Sequence, residues 1–256
     1  MKEFCLFFSL FALSLSTYSK PTNKDFYQLK VYHLKDDNQV SMTDNFIKNF
    51  YLPALHRYGI KNIGVFKPLT NDTASDKRIF VLIPFSSPEQ WLAISDKINN
   101  DPAFNESAKN FLAADSKTAP FVRMESVLME AFEKQPHLVF PKQKNAERIF
   151  ELRSYESPTI HLAKKKMDMF NHDEINIFNR LGFDPVFYGK VVAGSRMPNL
   201  MYLTIFKSLE DRNAQWKVFG DDAKWKEISA DPKNENKVSV SHMDSILMLA
   251  ADYSDY

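Results

Sequence analysis

In Ile149-Phe150-Glu151-Leu152-Arg153-Ser154-Tyr155, Glu151 and Arg153 fall on one side with Ile149 and Tyr155, and Phe150 and Leu152 on the other with Ser154, and a period of two over this length predicts a strand. Phe26-Tyr27-Gln28-Leu29-Lys30-Val31-Tyr32 alternates in the same way near the start of the chain. Phe46, Ile47, Phe50, Tyr51 and Leu55 follow the first strand at three/four spacing and predict a helix, kinked or broken at Pro53 and stopped by Gly59. Ile60 to Phe66 and the apolar run Arg78 to Phe85 read as strands. Ser87, Pro88 and Gln90 spell a capping box, after which Trp91, Leu92, Ile94 and Ile98 give one apolar helix face. Asp101-Pro102-Ala103-Phe104 restarts a short helix, and Phe121 to Met129 is a fourth strand.

The same order recurs. Arg148 to Tyr155 leads into a helix from Ile160 to Arg180 that stops at Gly182, then into strands Pro185 to Val192 and Leu200 to Phe206. Ser208 caps a helix carrying Trp216, Asp222-Ala223-Lys224-Trp225 matches Asp101-Pro102-Ala103-Phe104, and Met243-Asp244-Ser245-Ile246-Leu247-Met248 matches Met124-Glu125-Ser126-Val127-Leu128-Met129. The offset is about 120 residues throughout, too long for a solenoid repeat of roughly 20 to 50. The organisation expected is a domain at 24–133, a linker at 134–147 and a domain at 148–251. Each reads strand, helix, strand, strand, helix, strand: an α+β fold of two tandem ferredoxin-like (βαββαβ) units. Such a unit leaves one sheet face bare, so the two sheets are expected face to face with helices outside.

If Tyr27, Leu29, Val31, Phe150 and Leu152 pack under the helices, then Gln28, Lys30, Tyr32, Glu151, Arg153 and Tyr155 point into the space between the sheets. There they meet Arg123, Glu125, His242 and Asp244 from the last strands. Two readings of this cluster stand: paired charges that hold the sheets in register, or a pocket for a small, partly apolar anion. In the second, Arg153 meets the carboxylate and His242 carries a proton.

Composition removes other classes. The chain has 256 residues, 44% hydrophobic, with net charge +1 and no basic block, which argues against nucleic acid. Lys164-Lys165-Lys166 reads as a solvated helix face and His172-Asp173-Glu174 as solvent-facing. The six histidines show no helical metal spacing, so no metal or other cofactor is expected. Six glycines with no Gly-x-Ser-x-Gly, P-loop or dinucleotide pattern leave little phosphate-binding machinery. Lys2 followed by the apolar run Phe4 to Leu15, and small residues at Ser14–Ser16 and Thr17–Ser19, read as a signal peptide at 1–19. The expectation is an exported protein, periplasmic or secreted, with no transmembrane anchor. Cys5, the single cysteine, lies in that leader, so the remainder has no thiol chemistry.

Glu151-Leu152-Arg153-Ser154-Tyr155 resembles the opening motif of the NIPSNAP domain, with Gly182, Trp216 and Asp222-Ala223-Lys224-Trp225 following in the family's order. The first half resembles a diverged copy, with Leu29-Lys30-Val31-Tyr32 in place of the motif. The resemblance implies an intramolecular dimeric α/β barrel of the kind shared with small monooxygenases that hold a ligand between sheet and helices; it brings no catalytic residue set. The favoured expectation is a non-catalytic binder of a small ligand or partner. The alternatives are a cofactor-independent monooxygenase- or isomerase-like enzyme using His242 or Tyr155 as acid/base, and an interaction module using its outer helices. Association into a homo-oligomer is left open.

Overall fold

The computed structural model describes residues 24–141, 147–232, 234 and 236–256. The leader read at 1–19, with Cys5, and residues 142–146 of the linker lie outside the described residues. In chain order come β1 (Phe26–Leu34), α1 (Asp37–Phe46), a π-helical turn (Ile47–Tyr51), α2 (Leu52–Arg57), β2 (Gly64–Pro68), β3 (Lys77–Phe85), α3 (Pro88–Asn99), α4 (Pro102–Ser107), α5 (Lys109–Leu112) and β4 (Arg123–Ala131). The order then recurs: β5 (Ile149–Glu156), α6 (Ile160–Met169), a π-helical turn (Phe170–Glu174), α7 (Ile175–Arg180), β6 (Asp184–Ala193), β7 (Asn199–Phe206), α8 (Leu209–Asp221), α9 (Ala223–Ala230), α10 (Asn236–Ser239) and β8 (His242–Ala250).

Local chemistry sets these boundaries. Ser87 and Ser208 accept from the backbone N–H of Gln90 and Asp211 at the starts of α3 and α8. Asp101 and Asp222 each take two backbone N–H bonds at the starts of α4 and α9. Gly59 (φ +85°) and Gly182 (φ +74°) turn the chain out of α2 and α7 in the left-handed region, where a side chain is strained. Some expectations shift. Gln90 reaches back to the N–H of Ser86 and not of Ser87, Leu92 is exposed on α3, and β2 starts only at Gly64. The break expected at Pro53 is a π-helical turn ahead of it; the second half makes the same turn without a proline.

All strand pairs are antiparallel, and the order β1-β3-β2-β8-β5-β7-β6-β4 closes on itself. The four strands of each half are therefore not separate facing layers. Their open edges pair, β2 with β8 and β4 with β6, which satisfies backbone groups that a free edge would leave exposed. The result is one eight-stranded barrel of an α+β protein, helices outside.

Three apolar cores follow. The barrel interior holds Tyr27, Leu29, Val31, Phe66, Phe80, Leu82, Val127, Phe150, Leu152, Leu203 and Met248 from both halves. One outer core lies under α1–α5 and another under α6–α9. One barrel end is stoppered by aromatic rings: Phe140 of the connector and Phe66 meet Tyr256 at 4.7 and 5.4 Å, and Phe150 meets Phe66 at 4.7 Å.

Because Phe150 touches first-half rings inside an interior built by both halves, Phe150→Ala should cost about 3–5 kcal/mol and still leave one cooperative unfolding transition. Calorimetry showing two separated transitions would contradict the shared interior.

Candidate functional site

Alternation along β1 and β5 decides where each candidate side chain goes. Tyr27, Leu29 and Val31 of β1 and Phe150 and Leu152 of β5 face the barrel interior. Lys30, Tyr32, Glu151, Arg153 and Tyr155 therefore face the helices, the reverse of the phase expected from sequence. The physical reason is closure. A barrel interior is dry on every side and takes the most apolar face of each strand, whereas the helices bring polar partners of their own.

The eight candidates consequently fall into three places. Lys30 and Tyr32 lie under the first-half helices, Arg153 and Tyr155 under the second-half helices, and Arg123, Glu125, His242 and Asp244 at the barrel end opposite Tyr256. The single pocket expected to unite them does not form.

At that barrel mouth the charges are paired. His33 Nδ1 lies 2.9 Å from Asp76, and its Nε2 lies 3.0 Å from Glu125. Arg123 meets Glu125 at 2.6 Å, Ser195 donates to Glu125 at 2.7 Å, Arg196 pairs with Asp244, and His242 Nε2 is 3.1 Å from Asp244. Burial would raise the Glu125 carboxyl, but the Ser195 hydroxyl and Arg123 outweigh it and hold the group below its usual range. A cavity of about 180 Å³ remains beneath this rim, floored by Leu29, Val31, Val127 and Leu152.

In the second half, Glu151 is fully buried and heavily bonded. Arg212 donates to both its oxygens, from Nε at 3.0 Å and Nη2 at 2.7 Å; Trp216 Nε1 donates at 2.7 Å and Ser245 Oγ at 2.6 Å. Arg153 stands 3.7 Å from the same carboxylate, with the Trp216 ring 4.3 Å from its guanidinium carbon. Desolvation pushes the Glu151 carboxyl up, and the bonds from Arg212 and Ser245 with the Arg153 charge pull it below its ordinary value.

Deeper in, Lys166 and Glu174 form a buried pair at 3.6 Å. Lys166 lies over the Tyr155 ring at 5.3 Å, and Tyr155 and Tyr202 meet through their hydroxyls at 3.4 Å. Burial raises the Glu174 carboxyl against the pull of Lys166 and Arg153. Neither buried residue was legible as such: the Lys164–Lys166 run turns only its last member inward, and the π-helical turn rotates Glu174 away from solvent. That extra-wide turn is the signal a reading in helical periods of 3.6 cannot see.

The first half carries other side chains on the same frame. Lys30 pairs in register with Ser126 as Arg153 does with Ser245. Gln28 stands where Glu151 does and donates to Ser126 Oγ at 2.8 Å. Tyr51 ends its π-helical turn as Glu174 ends the other, and Lys30 Nζ lies 4.5 Å from the centre of the Tyr51 ring. Burial pushes the Tyr51 hydroxyl well up, and that of Tyr32 up to about 12. Tyr32 itself is core, edge-on to Phe121 at 5.7 Å. Between β1 and α3 lies a cavity of about 190 Å³ walled by Leu55, Phe85, Ile94 and Ile98, with Lys30 its one charged side chain and Gln28, Ser95 and Asn99 its hydrogen-bonding groups.

Among the described residues, no group of three or more His, Cys, Asp or Glu side chains could hold a metal ion, and no helix is long and apolar enough to cross a membrane. A more open groove of about 550 Å³ runs along α6 at the ends of β4 and β6.

The NIPSNAP family profile matches residues 150–255, in the second half of the chain. No curated protein sequence matches the chain. Among solved structures, a provisionally named monooxygenase from Fusobacterium nucleatum subsp. nucleatum ATCC 25586 is 10% identical, covers 89% of this chain and 92% of its own, and superposes with TM-score 0.56. A second provisionally named monooxygenase, from Lactobacillus acidophilus NCFM, is 9% identical over 89% of this chain and 94% of its own, TM-score 0.54. A NIPSNAP family protein of Agrobacterium tumefaciens str. C58 is 17% identical over 45% of this chain and 96% of its own, TM-score 0.39. For the two provisionally named monooxygenases the likeness is one of fold.

Glu151→Gln removes the charge that two guanidiniums share, and should lower stability at pH 7 by about 3–5 kcal/mol. The Glu151 carboxyl is held below its ordinary value, so its stabilisation is present above that value and lost as pH falls through the lower, folded-state one. Denaturant titrations should therefore show a flatter acid limb in the variant. An unchanged acid limb would mean that Glu151 is not ionised in the folded protein.

Proposed function

For a chain whose residues 150–255 match the NIPSNAP profile, we propose a non-catalytic binder of a small, partly apolar anion, held between β1 and α3 of the first half. One observation carries this reading. The Lys30 ammonium stands in a walled cavity of about 190 Å³, and no carboxylate lies within ion-pair distance of it among the described residues. The Tyr51 ring face meets this half-buried ammonium, and an incoming carboxylate would give it a counter-charge. Leu55, Phe85, Ile94 and Ile98 offer it apolar walls, and Gln28, Ser95 and Asn99 offer orientation. Drug-sized sites span roughly 300–1,000 Å³, so the ligand is smaller than a drug.

Binding is favoured over chemistry because the lining holds no histidine and no carboxylate, and burial holds its one phenol, Tyr51, in the protonated, neutral form. The reading takes the halves as tandem ferredoxin-like units of one duplicated ancestor, supported by their common element order and by the matching Lys30–Ser126 and Arg153–Ser245 registers. It also takes the protein as exported after loss of residues 1–19, which the intact mass of the native protein tests.

A catalytic reading, a cofactor-independent monooxygenase- or isomerase-like enzyme, is favoured by one feature: the raised, buried Glu174 carboxyl beside Lys166, Arg153 and Tyr155. It places the proton carrier at Glu174; His242 is tied to Asp244 at the barrel mouth, and the Tyr155 hydroxyl is pushed up by burial. Oxygen uptake or isomerisation with phenolic substrates, lost in Glu174→Gln, would establish it over the binding reading.

At a carboxylate concentration of 100 times Kd, binding adds about 2.7 kcal/mol, or roughly 5–10 °C in Tm. Lys30→Met should abolish that shift. Binding to Lys30 is refuted if no small carboxylate raises Tm, or if the variant responds as the wild type does.

A further inference from the structure

We infer that the anion is a planar aromatic monocarboxylate, whose ring and carboxylate take the places that Trp216 and Glu151 occupy in the other half. The inference rests on the Lys30 reading and names its ligand class.

The comparison is internal to the chain. Arg153, the counterpart of Lys30, has the Tyr155 ring 5.6 Å from its guanidinium carbon and is met more closely by two groups: the Trp216 indole on its guanidinium face at 4.3 Å, and Glu151 at 3.7 Å. The two are joined, since Trp216 Nε1 donates to Glu151 at 2.7 Å. Trp216 stands as far beyond the Ser208 cap as Ser95 stands beyond the Ser87 cap, and Glu151 sits on β5 where Gln28 sits on β1. The serine partner survives in both halves, with Ser245 donating to Glu151 and Ser126 accepting from Gln28.

The first half thus keeps the cation, the serine and the strand frame, with the Tyr51 ring beside Lys30, but has no counterpart of the Trp216 ring or of the Glu151 acid. Ser95 and Gln28, at those two positions, both line the cavity. A ligand that completes the arrangement presents a flat apolar face to Leu55, Ile94 and Ile98 and a carboxylate to Lys30. One cation in the lining matches one acid group, and the volume limits the ligand to one or two fused rings. A straight-chain acid also reaches Lys30, but it gives up rotamer freedom on entry and offers no ring to Phe85.

The test is calorimetric titration of the full chain with benzoate and indole-3-carboxylate, set against heptanoate and nonanoate of equal carbon number. The aryl acids should bind about tenfold more tightly than their straight-chain counterparts. Straight-chain acids binding as well or better would overturn the aromatic assignment and leave the Lys30 site standing; no binding by either kind would overturn the site itself. A second arm rebuilds the plug. Gln28→Glu with Ser95→Trp should fold with an unchanged or higher Tm and lose aryl-acid binding, and a folded double variant that still binds would place the ligand elsewhere and overturn the inference. If that variant does not fold, Ser95→Phe, which fills the same space with a smaller ring, is expected to lower aryl-acid affinity about tenfold or more, and unchanged affinity would be equally fatal.

Discussion

Closure of eight strands into one barrel is the constraint from which the rest of this molecule follows. Once β2 meets β8 and β4 meets β6, each strand has one face turned to a dry interior that both halves share. That interior is apolar beneath the charged rim at one mouth, so the face richest in Leu, Val and Phe turns inward. Whatever polar chemistry β1 and β5 carry is thereby pushed outward, beneath the helices. Glu151, Lys166 and Glu174 are buried there, where Arg212 and one another supply partners.

Beneath the helices the two halves reach different solutions on the same frame. The second half satisfies its arginine from within: Glu151 collects donors from Arg212, Trp216 and Ser245, and the Trp216 ring covers Arg153. A carboxylate so fully bonded tolerates complete burial. The first half replaces these with a lysine over a tyrosine ring, a carboxamide and a serine, which fill less space and leave the charge without a partner acid. The difference between a sealed network and an open pocket comes down to a few side chains, Gln28 and Ser95 among them.

Much of the architecture was legible in the chain. The alternation of Ile149 to Tyr155, the serine caps at Ser87 and Ser208, the aspartate caps at Asp101 and Asp222 and the stops at Gly59 and Gly182 are local signals, and local chemistry decides them. The direction of each strand face was not, because alternation says only that two faces differ; which one is inner depends on how distant strands close. Lys166 and Glu174 escaped for a related reason. Their burial depends on a π-helical turn, and a charged run such as Lys164–Lys166 says nothing of which member faces the sheet. At the barrel mouth, the pairing of Glu125 with Ser195 and His33 joins residues far apart in sequence, and only the topology brings them together.

The most direct test of this account is a crystal structure of the chain with indole-3-carboxylate. The account predicts the ligand between β1 and α3, its carboxylate at Lys30 Nζ and its ring against Ile94 and Ile98, with the Glu151–Trp216 network in the second half undisturbed. A ligand displacing Trp216 from Arg153, or seated in the groove along α6 with the Lys30 cavity empty, would contradict it.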